Sequence, residues 1–268
     1  MFEKLTNVLN GLRAITRFDM VPFMLCQRVL GRRLGWTIYK KGRLKFLVDH
    51  LADDQNGTRD CIISPMYREL FGQMQLPRQL RLLDLGANGG GFPLLCLDLG
   101  FELAALTCVE ANPFTHARLC LNIRQNIGLR AKILNVAVGG HSRELKLSFP
   151  AGGTGFSIYG AVNGAEEEAC IQVLTLDEIM RLGFDDQSVD LCKMDVEGAE
   201  YETLLEGPAD SLKHIHHLII EIHPAEPAKQ DALRRKLESH GFEHIRASST
   251  CADVHLFSNA QWQESSRG

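Results

Sequence analysis

From residue 80 onward, short apolar runs alternate with longer stretches in which apolar positions recur every three or four residues. The short runs, bounded by turn-forming residues, predict buried strands. The longer period predicts helices, and the alternation of the two predicts βαβ units around a parallel sheet. Strands are predicted over residues 80–85, 103–109, 131–138, 171–174, 189–194 and 217–222, and helices over 92–99, 113–127, 177–182, 197–205 and 227–240. Pro93 suits an opening helical turn, where no backbone donor is needed. Residues 145–149 and 156–162 predict extra strands or loop, divided by Gly152-Gly153-Thr154-Gly155, and 243–247 with 254–258 predict a closing hairpin.

Upstream the pattern changes. Residues 1–35 predict helix, broken near Pro22 and around Gly31 and Gly35, and residues 36–48 alternate about Lys41-Gly42 as a hairpin would. A polar segment, Asp53-Asp54-Gln55-Asn56-Gly57, precedes the apolar Cys61-Ile62-Ile63 and a predicted helix over 65–73, and Pro77 marks a linker. The expected division is an N-terminal extension over 1–78, which contacts the acceptor or a partner, a main domain over 79–260 and a frayed tail over 261–268.

Composition adds little to this picture: 45% hydrophobic and 23% charged residues are ordinary for a globular chain. No apolar run reaches the length of a membrane span. The eight cysteines form no C-x-x-C pair, which fits a reducing, cytoplasmic setting. Charge is less even. Residues 1–50 carry ten Lys or Arg against three acids, while the whole chain has a net charge of −4. Arg13, Arg17, Arg28, Arg32, Arg33, Lys40, Lys41, Arg43 and Lys45 either form a solvated face packed on an acidic body or attract a phosphate-bearing acceptor or an acidic membrane surface. No basic stripe interleaved with aromatics points to nucleic acid.

The candidate chemistry sits where the predicted strands end, the place where open α/β sheets bind ligands. Asp84, Gly86, Asn88 and Gly90 follow D-x-G-x-x-x-G after a buried strand. In a dinucleotide fingerprint the middle position of Gly86-Ala87-Asn88-Gly89-Gly90-Gly91 would be glycine, and here it is Asn88. A cofactor without a pyrophosphate, such as S-adenosylmethionine, tolerates that residue better. Glu110, 24 positions after Gly86, is placed to accept both hydroxyls of a ribose. Asn112 before Pro113 reads as a helix N-cap. Lys193 and Asp195, two apart on a strand, share a face and can form an ion pair in the cleft. Glu197 and Glu200 then suit the start of a helix. Glu221 and His223 repeat the arrangement on the next strand. If those strands are neighbours, Asp195, Glu221 and His223 converge, either as a general base (Asp195 or His223, the preferred use) or as ligands of a divalent ion. His214, His216 and His217 lie at the other end of that strand and read as surface residues.

Taken together, Leu83-Asp84-Leu85-Gly86-Ala87-Asn88-Gly89-Gly90, Val109-Glu110-Ala111-Asn112-Pro113, Asn135-Val136-Ala137-Val138-Gly139, Thr175-Leu176-Asp177, Lys193-Met194-Asp195-Val196-Glu197-Gly198-Ala199-Glu200 and Ile220-Glu221-Ile222 resemble the FkbM family of S-adenosylmethionine-dependent methyltransferases. The matching segments run over about residues 80–223. The resemblance implies an α/β, Rossmann-like class I methyltransferase fold with a seven-stranded, mostly parallel sheet. It also implies O-methylation, often of sugar hydroxyls in glycans or natural products. Carried over, Asp84, Gly86, Asn88 and Gly90 line the methionine side of the cofactor, Glu110 holds the ribose, Asn135 to Val138, Ala137 included, border the adenine, and Asp195 lies near the transferred methyl. Independently of the resemblance, the strand ends add Lys193, Glu221 and His223 to Asp195 as the expected catalytic set. Gly89-Gly90-Gly91 is richer in glycine than the family's usual turn, so a looser loop is expected. Acceptor choice is expected in the first 75 residues and in the insert over 152–164. The alternatives are an NAD-dependent oxidoreductase, a non-catalytic cofactor-binding scaffold, and methyl transfer to nitrogen or carbon.

Overall fold

The computed structural model describes residues 15–29, 35–52, 54–149 and 167–262. The helix predicted before residue 15, the basic residues Arg13, Arg32 and Arg33, the whole 152–164 insert with the segment 156–162, and most of the tail lie outside them. Helix α1 (Val21–Val29) follows a turn over residues 16–20, so the predicted break near Pro22 is found; the proline sits in the first turn of the new helix, for which its backbone is pre-set. Strands β1 (Trp36–Lys41) and β2 (Leu44–Asp49) form the predicted hairpin, in register from Trp36 opposite Asp49 to Lys41 opposite Leu44. A π-helical turn over Gln55–Asp60 and a short helical turn over Cys61–Ile63 lead into α2 (Pro65–Phe71), which Ser64 caps by accepting from Met66 N.

The main sheet begins with β3 (Gln79–Leu85), α3 (Gly91–Asp98), β4 (Glu102–Val109), α4 (Pro113–Ile127) and β5 (Lys132–Leu134). The chain then leaves it through β6 (Ala137–Val138), β7 (Arg143–Phe149) and β8 (Glu167–Leu174), and returns by α5 (Leu176–Phe184) to β9 (Val189–Met194), β10 (Ile215–Glu221), α6 (Pro227–Ser239), β11 (Phe242–Ala247) and β12 (Val254–Asn259). The seven strands lie in the order β11-β12-β10-β9-β3-β4-β5, and only β12 runs against its neighbours. This is the seven-stranded, mostly parallel sheet expected from the sequence. Alternate strand residues face opposite layers. Leu83, Leu85, Cys192, Met194, Leu218 and Ile220 pack with α5 and α6, and Leu82, Cys108, Leu191 and Ile219 pack with α2, α3 and α4.

Three expectations change. The strand predicted over 131–138 divides at Asn135. Its Nδ2 donates to the Glu110 and Ala111 carbonyls (2.8 and 3.0 Å), and the chain turns from β4 to pair Ala137 with Val173 in a separate three-stranded sheet, β6-β8-β7. The helix predicted over 197–205 starts late, because Glu197 and Gly198 are left-handed (φ 52° and 97°), and it ends as a π-helical stretch over Glu202–Glu206. His217 is buried and not a surface residue; it stacks on His216, which stacks in turn on Trp262. Burial, with His216 beside it, lowers the His217 pKa to about 4, so this imidazole is neutral.

The N-terminal elements are fastened to the main sheet. Asn122 and Asn126 of α4 exchange hydrogen bonds with the backbone of Leu47 and Lys45, closing the free edge of β2. Of the basic residues, Lys41 pairs with Asp98 at 2.5 Å, whereas Arg17, Lys40, Arg43 and Lys45 stay exposed. Among the described residues, no helix is long and apolar enough to cross a membrane.

Candidate active site

The strand register sets the site. From β3 the chain moves outward to β4 and β5, then crosses back to β9 on the other side of β3, which makes the carboxyl ends of β3 and β9 the switch point of the sheet. Leu85 pairs with both Val109 and Met194, and Met194 pairs with Ile220. The next residues on the four strands, Gly86, Glu110, Asp195 and Glu221, therefore emerge at one level. Above them lies a cavity of about 500 Å³.

At one end the main chain forms the wall. Gly86 has φ +73°, and a Cβ there would sit 1.7 Å from the Asp195 carbonyl, so only glycine fits. Asn88 is also left-handed (φ 48°), a conformation asparagine tolerates. The Glu110 carboxylate accepts from Asn88 N (2.9 Å) and Asn112 N (2.8 Å), one bond to each oxygen. Burial nevertheless pushes its pKa up to about 7. Each oxygen keeps capacity for a further donor. Val136, Ala137 and Val138 supply an apolar wall beside it. Asn112 caps α4, as its sequence position predicts, by accepting from Phe114 N and Thr115 N.

At the other end charges gather. Lys193 is buried; its Nζ donates to the Gly86 carbonyl (2.7 Å) and lies 3.3 Å from Asp195 and 3.7 Å from Asp84. Burial pulls the lysine pKa down, but Asp195 and Asp84 outweigh it and hold the ammonium charged. Asp84 is fully buried, its oxygens accept no hydrogen bond, and burial raises its pKa to about 6 against the pull of Lys193. Burial, with Asp195 nearby, also raises the proton affinity of Glu221. His223 lies between carboxylates, with Nε2 3.3 Å from Glu197 and Nδ1 3.3 Å from Glu200. Glu197 and then Glu200 push its pKa up to about 10.

Of the residues singled out in the sequence, Gly86, Asn88, Glu110, Ala137, Lys193, Asp195 and Glu221 line the cavity. Asp84, Gly90, Asn135 and His223 do not. Asp84 lies behind Lys193 as its counter-ion, Gly90 caps α3, and Asn135 clamps the Glu110 carbonyl. His223 is held as a cation, so it has no free lone pair for abstracting a proton at neutral pH. Glu200 is not a solvated helix-start acid: it is buried and accepts from Gly198 N and His223 N.

The roof of the cavity is not among the residues expected from the sequence. Asn56, Gly57, Asp60, Cys61, Ser64, Met66 and Tyr67 line the cavity from above the glycine turn. A Cβ on Gly89 would lie 2.0 Å from Thr58 Oγ1, and one on Gly91 would lie 2.3 Å from the Gly57 carbonyl. The extra glycines therefore do not loosen the loop; they let the π-helical turn rest directly on it. Buried Asp54 anchors that turn, accepting from Thr58 Oγ1 (2.9 Å) and pairing with Arg118 of α4 (3.1 Å). The signal available in the sequence was Gly57 amid polar residues, and it has no periodicity.

Comparison with known proteins agrees with this geometry. The family described as Methyltransferase FkbM domain matches residues 84–244. Among solved structures, the methyltransferase FkbM from Methylobacillus flagellatus KT is similar, with 16% identity and a TM-score of 0.50 over 70% of this chain and 45% of that one, so this chain spans less than half of that protein's length. The ribosomal protein L11 methylase from Lactobacillus delbrueckii subsp. bulgaricus is 11% identical, with a TM-score of 0.41 over 75% of this chain and 78% of that one. A comparison with curated proteins returns no match. The family match spans more than half of the chain and agrees with the sheet and the cavity at its switch point: the chain belongs to the FkbM methyltransferase family and has a class I methyltransferase fold.

Proposed function

We propose that the chain is an S-adenosylmethionine-dependent O-methyltransferase acting on a neutral, hydroxyl-rich acceptor, with a sugar hydroxyl of a glycan or glycosylated natural product as the leading candidate. The observation carrying this reading is one continuous cavity whose Glu110 end suits a nucleoside and whose other end is acidic. The residues suit the cofactor. Glu110 has capacity to accept two ribose hydroxyls, Val136 to Val138 offer an apolar face to a base, and the bare main chain around Gly86 allows close approach. When bound, S-adenosylmethionine supplies an electrophilic methyl group on a cationic sulfur.

The chain's own contribution is position and proton handling. Holding an acceptor hydroxyl in line supplies about 7–11 kcal/mol of barrier reduction through proximity and orientation. Glu221, which lines the cavity and has a raised proton affinity, is the preferred base, with Asp195 beside it. The lining carries Asp60, Glu110, Asp195, Glu197 and Glu221 against Lys193 alone among its Lys and Arg residues. That balance supports a neutral acceptor over the phosphate-bearing one suggested by the basic N-terminal segment. It also argues against an NAD-dependent oxidoreductase, as does the Gly89 N–H, which already donates to Asn88 Oδ1 (2.7 Å) and is not free for a pyrophosphate.

The test is transfer of a labelled methyl group from S-adenosylmethionine to a panel of neutral glycosides, phosphorylated sugars, amines and carbon acids. Methylation of a glycoside hydroxyl is expected. Failure to bind S-adenosylhomocysteine, or label found only on nitrogen or carbon, would overturn the reading.

A further inference from the structure

We propose that Asp195, Glu197 and His223 form a binding site for a divalent first-row transition-metal ion at the acidic end of the cavity. Each of the three offers a ligand atom, and these atoms lie within 4.8 Å of one another. His223 Nε2 and Glu197 Oε2 stand 3.3 Å apart. Two adjacent donors that each hold an ion at about 2.1 Å stand roughly 3.0–3.4 Å apart, so this pair is already at ligand spacing. The ligand set combines one imidazole with two carboxylates, the ion displacing the Nε2 proton that His223 carries in the free chain; such a set suits Mn²⁺, Fe²⁺ or Zn²⁺ better than the all-oxygen cages of Ca²⁺.

A second observation makes this more than a cluster of acids. The other ring nitrogen of His223, Nδ1, lies 3.3 Å from Glu200, whose side chain is fully buried and has no access to the cavity solvent. Glu200 also accepts from the His223 backbone N–H (2.9 Å), and Tyr201 donates its hydroxyl to the His223 carbonyl (2.7 Å). The backbone of His223 is thus held from behind, with the Glu200 carboxylate on the Nδ1 side of the ring and Nε2 toward Glu197 and, at 3.9 Å, Glu221. A carboxylate on the far nitrogen is the arrangement that orients metal-ligating histidines and raises their basicity. The left-handed pair Glu197 and Gly198 folds the chain back immediately after β9, which brings the Glu197 carboxylate beside Asp195.

Asp195, Glu197 and Glu221 all line the cavity, so an ion held there would keep open positions toward the acceptor. An acceptor hydroxyl bound to it would lose its proton more readily, and Glu221 is adjacent to receive that proton. This catalytic role rests on the methyl-transfer reading; the binding of the ion does not.

The experiment is a titration of the full chain with Mn²⁺ alone, followed by the electron paramagnetic resonance signal of the free ion and by calorimetry. One site is expected in the native chain. Glu197→Gln and His223→Gln should each weaken it more than ten-fold, Glu200→Gln about 10–100-fold, and Glu110→Gln, at the opposite end, should leave it unchanged. The Glu197 side chain is 39% exposed, so that variant is expected to keep its fold, which circular dichroism checks. An undiminished free Mn²⁺ signal with a native chain that still binds S-adenosylhomocysteine overturns the site. So does equal binding by native chain, Glu197→Gln and His223→Gln. Mn²⁺ bound in a native chain that fails to bind S-adenosylhomocysteine supports the site and refutes the methyl-transfer reading instead.

Discussion

Replacing Glu110 with Gln separates the two jobs of that carboxylate. In the native chain its oxygens accept from Asn88 N at 2.9 Å and Asn112 N at 2.8 Å. Glutamine offers one oxygen and one NH₂, so one backbone donor meets another donor and the remaining bond loses its charge. A hydrogen bond to a charged group contributes about 1.5–3 kcal/mol, and one ribose hydroxyl loses such a partner. Binding of S-adenosylhomocysteine, measured by calorimetry at pH 8, should weaken about 10- to 150-fold. The pH dependence gives an independent check. The folded carboxyl, at about 7, sits above the unfolded range. It therefore favours the free folded chain below the ordinary carboxylate pKa and loses that contribution as pH rises through 7. Ligand binding has the opposite sign, because ribose hydroxyls donate to the ionised form, so native affinity should rise from pH 6 to pH 8 and stay flat in Glu110→Gln. Unchanged affinity in the variant, or the same pH slope in both chains, would refute the ribose assignment.

Two further perturbations probe the framework around the cavity. Gly89→Ala puts a methyl against Thr58 Oγ1 and should lower stability by about 1–3 kcal/mol, as overpacking does; adding Thr58→Ala should recover part of that loss in denaturant melts, and strict additivity would show that the roof does not rest on the glycine turn. Lys193→Met leaves buried Asp84 and half-buried Asp195 without their cation, a loss of about 3–5 kcal/mol. The resulting fall in Tm should shrink toward pH 5 as Asp84, with a pKa already near 6, takes up a proton; a Tm unchanged at pH 8 would refute the ion-pair argument.

The alternation of apolar runs was enough to read a parallel α/β sheet and to mark the strand ends, because buried strands and helical periods are local properties of neighbouring residues. The cap at Asn112, the shared face of Lys193 and Asp195, and the need for glycine at Gly86 were legible for the same reason. Other features depended on partners far away in the chain. The split at Asn135 follows from two competing strand partners, Thr107 opposite Lys132 and Val173 opposite Ala137. The roof over Gly89 and Gly91 comes from residues about 30 positions earlier, whose polar pattern gives no hint of packing. Most plainly, the sequence placed an acid and a histidine at the end of β10, but their protonation was decided by tertiary structure. Glu197 and buried Glu200 close on the imidazole and turn an expected base into a cation, because proton affinity depends on the charges and desolvation that folding brings to a group.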